Sequence, residues 1–241
     1  MANPGHFLHA NAVMGLHLLD EARLAGLERF VLVSTTCTYP EDAPNPLRED
    51  TIWDGAPTGA TGPYGMAKRL LHEACATFER QYGLSSAVVV LANLYGPGDH
   101  YAPETSHVAP MMARRYLEAA RDGVDEVVNW GSGTPTREFL HVADAARALV
   151  LAAASDCGSA PINVGTGRET SIRELAEVLA AAAGYEGTTR WDTTRPDGTP
   201  RRVLDVSRAE TVLGFRARVG LEDGMAETVA WLREELAGVP A

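Results

Sequence analysis

Two short, uninterrupted apolar runs constrain this chain more than any other feature. Phe30-Val31-Leu32-Val33 ends in the polar Ser34-Thr35-Thr36, and Ala87-Val88-Val89-Val90-Leu91-Ala92 ends in Asn93-Leu94-Tyr95-Gly96-Pro97. Continuous runs rich in β-branched residues suit strands covered on both faces, and the polar residues that follow mark their carboxyl ends. Each run is preceded by apolar residues at helical spacing, over 8–26 with a stop at Gly26 and over 64–82 with a stop at Gly83. Helix, strand, helix, strand in that order argues for an α/β fold with a parallel sheet, whose ligand sites lie outside the carboxyl ends of the strands. Thr35 and Asn93 stand at two such ends.

Farther along, the pattern predicts a helix near 107–121, a strand near 126–130, a helix near 142–155, a strand at Pro161-Ile162-Asn163-Val164, and helices near 171–183 and 221–236. The segment 185–206, rich in Thr, Asp, Arg and Pro, reads as mostly irregular, and Asn93–Pro97 reads as a turn. At 241 residues the chain can bury one large core or two interleaved ones. Its formal charge of -11 offers no basic field to a nucleic-acid backbone, so no nucleic-acid partner is expected. No apolar run reaches bilayer-spanning length and the first residues, MANPGHFLHANAVMG, lack a signal-peptide layout, so no membrane association is expected. Cys37, Cys75 and Cys157 are odd in number and widely spaced, which fits a reducing, cytoplasmic setting rather than disulfides or thiolate zinc. His6-x-x-His9 has no accompanying third ligand, so no metal site is expected.

The stretch Thr61-Gly62-Pro63-Tyr64-Gly65-Met66-Ala67-Lys68 places a phenol and an ammonium four residues apart. If a helix starts at Pro63, which suits a first helical turn, Tyr64 and Lys68 project from one face and act on one small region. The spacing alone is common by chance and equally describes a surface Tyr and Lys. Taken in order with Thr35 and Asn93-Leu94-Tyr95-Gly96-Pro97, however, it resembles the extended short-chain dehydrogenase/reductase family, the NAD-dependent sugar-nucleotide epimerases and dehydratases. The likeness is sharpest to the GDP-L-fucose synthases, which epimerise and reduce GDP-4-keto-6-deoxymannose. Ser34-Thr35-Thr36-Cys37-Thr38-Tyr39-Pro40, Ser106-His107-Val108, WGSGTPTREFLHV at 130–142, INVGTG at 162–167 and PDGTPRR at 196–202 carry it.

The resemblance implies a Rossmann-like doubly wound parallel sheet with an interleaved smaller C-terminal substrate domain. It divides the chain into 1–105 and 106–241, with segments near 137–167 returning to the first part. It implies that Tyr64 donates a proton to the sugar C4 oxygen while Lys68 lowers the phenol pKa and holds the cofactor ribose. Thr35, where the family usually has serine, would hydrogen-bond the same oxygen. Cys37 and His107 match the family's acid/base pair for epimerisation, a thiol and an imidazole that exchange protons near neutral pH. The implied cofactor is NADP, held in part by Tyr64, Lys68, Asn93 and Leu94. The implied substrate is a GDP-sugar, lined by Asn93, Val108, Arg115, Trp130, Arg137 and Arg202, where arginine forks suit a diphosphate. Plainer readings exist for each: Cys37 as a small buried residue, His107 as a helix-entry histidine, Arg115 and Arg202 as solvated charges, Trp130 as a core residue. Asp197 reads as a turn stabiliser, and Cys75 and Cys157 as helix and core residues.

Family members open with a strand and a G-x-x-G-x-x-G turn that approaches the cofactor pyrophosphate. The early glycines here, Gly5, Gly15 and Gly26, follow no strand. The expectation is therefore an N-terminally truncated Rossmann-like sheet that binds NADP weakly or not at all and exposes the Phe30–Val33 edge. A mis-called gene start, a trimmed chain, a separate N-terminal partner chain and a repurposed protein all fit. The family implies a homodimer through the helices near 8–26 and 64–82. Two functional classes stay open: an enzyme of GDP-deoxyhexose synthesis, and a non-catalytic relative that binds a sugar nucleotide or a protein.

Overall fold

A computed structural model describes residues 3–102 and 106–238. In chain order the elements are α1 (Pro4–Leu24), β1 (Arg29–Thr35), α2 (Gly62–Tyr82), β2 (Ser85–Leu91), β3 (Asn93–Tyr95) and α3 (Val108–Asp122). There follow β4 (Glu126–Trp130), β5 (Thr136–Arg137), β6 (Phe139–His141), α4 (Val142–Ala154), β7 (Ile162–Val164) and β8 (Thr170–Ser171). The last are α5 (Ile172–Ala183), β9 (Thr188–Asp192), β10 (Arg201–Arg202), α6 (Ser207–Leu213) and α7 (Leu221–Gly238). The architecture is α/β with Rossmann-like parallel strands, as the alternation of runs predicts.

The chain forms two compact units. The first comprises 1–92, 145–167 and 203–217, the second 93–144, 168–202 and 218–241. In the first unit the sheet order is β1-β2-β7, all parallel. The register sets Val33 beside Val89 and Thr35 beside Leu91. As the central strand, β2 buries Val88, Val89 and Val90 completely, each contributing roughly 1.5–3 kcal/mol over exposure. The helix α2 starts with Pro63 in its first turn and stops at Gly83, whose φ of 73° a side chain would disfavour. It packs Leu71, Ala74 and Cys75 with Leu19 of α1 and Leu32 of β1. β1 is an edge strand, with Val33 43% exposed, and α1 carries exposed Met14, Leu18 and Leu24.

The second unit gathers α3, α5 and α7 around one core that includes Met112, Tyr116, Leu175, Leu179, Met225 and Val229. Ser171 caps α5, its hydroxyl accepting from the Glu174 N–H at 3.0 Å. The second unit also contains three small sheets: β4-β9, β3-β6 and β10-β5-β8. Two expectations are corrected here. Asn93-Leu94-Tyr95, read as a turn, is the strand β3, paired in parallel with Phe139-Leu140-His141. Within 185–206, read as mostly irregular, β9 pairs with β4 over Glu126–Trp130, and Arg201-Arg202 form β10. These strands escape a sequence reading because they are short or half-exposed and gain their partners from distant segments.

Candidate active site

In the first unit, β1 delivers Thr35 to the carboxyl end of the sheet, and Thr36–Thr38 turn away in a single 3-10 turn. Thr35 Oγ1 accepts from the Cys37 N–H at 3.2 Å, while Thr38 Oγ1 donates to the Thr35 carbonyl at 2.8 Å. The Thr35 hydroxyl therefore keeps its own proton to donate elsewhere. The first turn of α2 rests on this turn. A Cβ at Gly65 would collide with the Cys37 carbonyl, so only glycine permits the approach that holds the adjacent Tyr64 near Cys37. Lys68, one helical turn on, places Nζ 5.7 Å from the Tyr64 ring centroid and donates to the Val33 carbonyl at 3.0 Å.

The fall in the Tyr64 pKa expected from Lys68 does not emerge, because burial dominates. The phenol lies above its ordinary pKa, first because burial disfavours phenolate and second because negative charge on Cys37 would repel it. Burial likewise holds the Lys68 ammonium below its ordinary range. At neutral pH Tyr64 therefore keeps its proton, the state required of a donor.

Beneath these groups lies a polar cluster that the sequence did not announce. Ser34 Oγ and His72 Nε2 meet at 2.6 Å, and Arg69 Nε donates to the Thr38 carbonyl at 2.6 Å. Their helical spacing from Lys68, at i+1 and i+4, is a signal visible only in retrospect.

The second unit holds the remaining predicted residues. A pocket of about 220 Å³ is lined by Val108, Met111, Arg115, Asn129, Trp130 and Trp191, among others. Trp130 is 68% exposed rather than a core residue, and the Arg195 guanidinium sits 5.1 Å from its ring. Arg115 is not simply solvated: Nη1 donates to Asn129 Oδ1 at 2.7 Å and to the Val128 carbonyl at 3.2 Å. Asn129 continues to the Tyr116 hydroxyl at 2.9 Å, so Arg115 is braced from the core. His107 directly precedes α3, with its side chain exposed and making no cap. Asn93 donates from Nδ2 to the Glu138 carbonyl at 2.9 Å, and Leu94 is partly exposed beside it. Arg137 and Arg202 are register partners on β5 and β10. Arg137 Nη1 donates to the carbonyls of Thr136 and Thr199 at 2.7 and 2.6 Å, and burial followed by the Arg202 charge lowers its pKa. Asp197 accepts from the backbone N–H and the hydroxyl of Ser132, both at 2.8 Å, so it ties two distant loops together rather than its own turn, and it lines the pocket.

Asn129 and Trp191 are pocket residues that sequence reasoning missed. Trp191 packs against Gly133 and under Arg173, whose guanidinium lies 4.9 Å from the ring; it belongs to the strand read as irregular. Cys75 is buried on α2, whereas Cys157 is only partly buried. Among the described residues no helix is long and apolar enough to cross a membrane.

Residues 1–165 match the NAD dependent epimerase/dehydratase family. GDP-L-fucose synthase 1 of Arabidopsis thaliana is 37% identical over 228 residues, covering 95% of this chain and 70% of the relative. GDP-L-fucose synthase of Escherichia coli K12 is 38% identical over 240 residues, covering 96% of this chain and 74% of the relative. The crystal structure of a GDP-L-fucose synthetase from Naegleria fowleri bound to NADP superposes with a TM-score of 0.90 at 25% identity, over 99% of this chain and 76% of that one.

Proposed function

The chain belongs to the NAD-dependent epimerase/dehydratase family, and on that footing we propose that it is an NADP-dependent epimerase/reductase of GDP-keto-deoxysugars, with GDP-4-keto-6-deoxymannose as substrate. The observation that carries this reading is the convergence of Tyr64, Lys68 and Cys37 at the carboxyl end of β1, where the Thr35 hydroxyl also has a proton to give.

The residues of this end fit a nicotinamide riboside. Lys68 and Tyr64 offer an ammonium and a phenol to ribose hydroxyls. A bound nicotinamide supplies hydride for reduction at the sugar C4. Tyr64, held protonated by burial, gives its proton to the C4 oxygen, and Thr35 donates a hydrogen bond to the same atom. Epimerisation at C3 and C5 takes a proton from one face and returns it on the other, which needs two carriers; Cys37 and His107 fill these roles. In the second unit, the exposed Trp130 ring offers a stacking face to a purine, and the adjacent Arg137 and Arg202 concentrate positive charge suited to a diphosphate. Free cysteines suit a cytoplasmic enzyme, and the exposed Met14, Leu18 and Leu24 of α1 support a homodimer.

Incubation with GDP-4-keto-6-deoxymannose and NADPH, following absorbance at the reduced-nicotinamide band and the product by NMR, tests the assignment. Turnover that is lost in Tyr64→Phe supports it. Binding of the GDP-sugar without any turnover would favour a non-catalytic sugar-nucleotide binder.

A further inference from the structure

One buried polar pair takes no part in the chemistry proposed for this site. Ser34 and His72 are 4% and 3% exposed, and their hydrogen bond runs from β1 to α2, the elements that also bury Leu32, Leu71 and Cys75. Two apolar side chains would fill the same space. His72 Nδ1 is also buried without a hydrogen-bond partner among the described residues, so the pair is only half satisfied and costs stability. What such a bond supplies, and an apolar contact does not, is direction.

Its location gives that direction a use. Side chains alternate along β1, so Ser34 turns inward between the exposed Val33 and the half-buried Thr35. Lys68 Nζ holds the Val33 carbonyl, His72 holds the Ser34 hydroxyl, and Arg69 Nε holds the Thr38 carbonyl. Three side chains within five residues of α2 thus grip the chain on both sides of Thr35 and Cys37. The same helix carries Tyr64. Arg69 is itself 5% exposed, with Nη2 unpartnered among the described residues, a second buried polar group spent on this contact.

We propose that His72 is a positioning residue: its hydrogen bond to Ser34, seconded by that of Arg69 to Thr38, fixes the Thr35 hydroxyl and the Cys37 thiol in register with the Tyr64 phenol. The roles of the positioned groups rest on the function proposed above, whereas the latch itself is a property of the first unit and has its own readout. Cys37 is partly exposed while Cys75 is buried, so carboxamidomethylation of Cys37 by iodoacetamide, quantified on its peptide, reports where that thiol stands.

The variants are Ser34→Ala, His72→Leu, the double variant, and His72→Gln, whose amide reaches the place of Nε2. In folded protein, Ser34→Ala and His72→Leu are expected to change the Cys37 labelling rate by about threefold or more, the double variant no further, and His72→Gln to stay within about twofold of the unsubstituted chain. If His72→Leu does not fold, Ser34→Ala carries the test, since it removes only a hydroxyl. With turnover of the GDP-sugar established, kcat should fall about 10- to 100-fold in Ser34→Ala with KM nearly unchanged. An unchanged labelling rate in folded Ser34→Ala, or effects that simply add in the double variant, would overturn the proposal. Absence of turnover by the unsubstituted chain counts against the proposed activity alone, and the labelling result still decides the role of His72.

Discussion

Gly65 lies so close to the Cys37 carbonyl that no side chain fits between them. This contact sets α2 directly on the turn that follows β1. Gly65→Ala must therefore push the helix or the turn aside, at a cost of about 1–3 kcal/mol for overpacking. Urea denaturation followed by circular dichroism should show a lower midpoint with an unchanged slope. A midpoint equal to that of the unsubstituted chain would mean that the turn yields freely.

The imidazole of His72 is held at a pKa of about 4, first by burial and then by the neighbouring positive charges of Arg69 and Lys68. The unfolded chain takes up that proton near the ordinary value of 6.5. A depressed pKa means that the stabilising contribution is present above 6.5 and is lost as the pH falls through the window down to about 4. The loss from this group is on the order of 3 kcal/mol. His72→Gln should flatten this part of a stability–pH curve measured by denaturant titration at several pH values; an unaltered curve would assign the acid sensitivity elsewhere.

Tyr64 is the proton donor in the proposed reduction, and its raised pKa keeps it protonated at neutral pH. Tyr64→Phe is expected to lower kcat for NADPH-dependent reduction by about 10²- to 10⁴-fold while leaving GDP binding by the second unit intact. Stopped-flow absorbance and GDP calorimetry on the same preparation separate the two effects.

Epimerisation exchanges protons and consumes no hydride, so Cys37 and His107 can be tested apart from reduction. In deuterated water the chain should introduce label at C3 and C5 of GDP-4-keto-6-deoxymannose, and Cys37→Ser and His107→Ala should each suppress it. NMR of the recovered sugar reads the outcome. Label that persists in both variants would assign the proton carriers to other groups.

Trp130 is 68% exposed, so Trp130→Ala removes a stacking face with little effect on folding. GDP should raise the melting temperature of the unsubstituted chain more than UDP does, since a ligand stabilises by binding the native form. The variant should melt at nearly the same temperature without ligand and lose most of the GDP shift. Arg137→Ala is a harsher test, because it also strips two backbone carbonyls of their donor. Equal shifts for GDP and UDP would remove the guanine assignment.

The sequence by itself determined the α/β class and the principal helices and strands. Runs such as Val88-Val89-Val90 and stops such as Gly83 act locally, through burial on both faces and a backbone conformation that favours glycine. The grouping of Thr35, Cys37, Tyr64 and Lys68 came from the motifs that resemble the family, since a strand end and a helix start on either side of the loop 40–63 do not by themselves say that they meet. Only the tertiary structure decided what depends on partners distant in sequence. The strand at Asn93–Tyr95 exists because Phe139–His141 pairs with it, and the one at Thr188–Asp192 because Glu126–Trp130 does. The rise in the Tyr64 pKa, against the fall that a nearby lysine suggests, follows from burial, which no spacing encodes. The Ser34–His72 bond joins residues 38 positions apart. Periodicity records which face of a helix is buried, but not which polar atom waits on the other side.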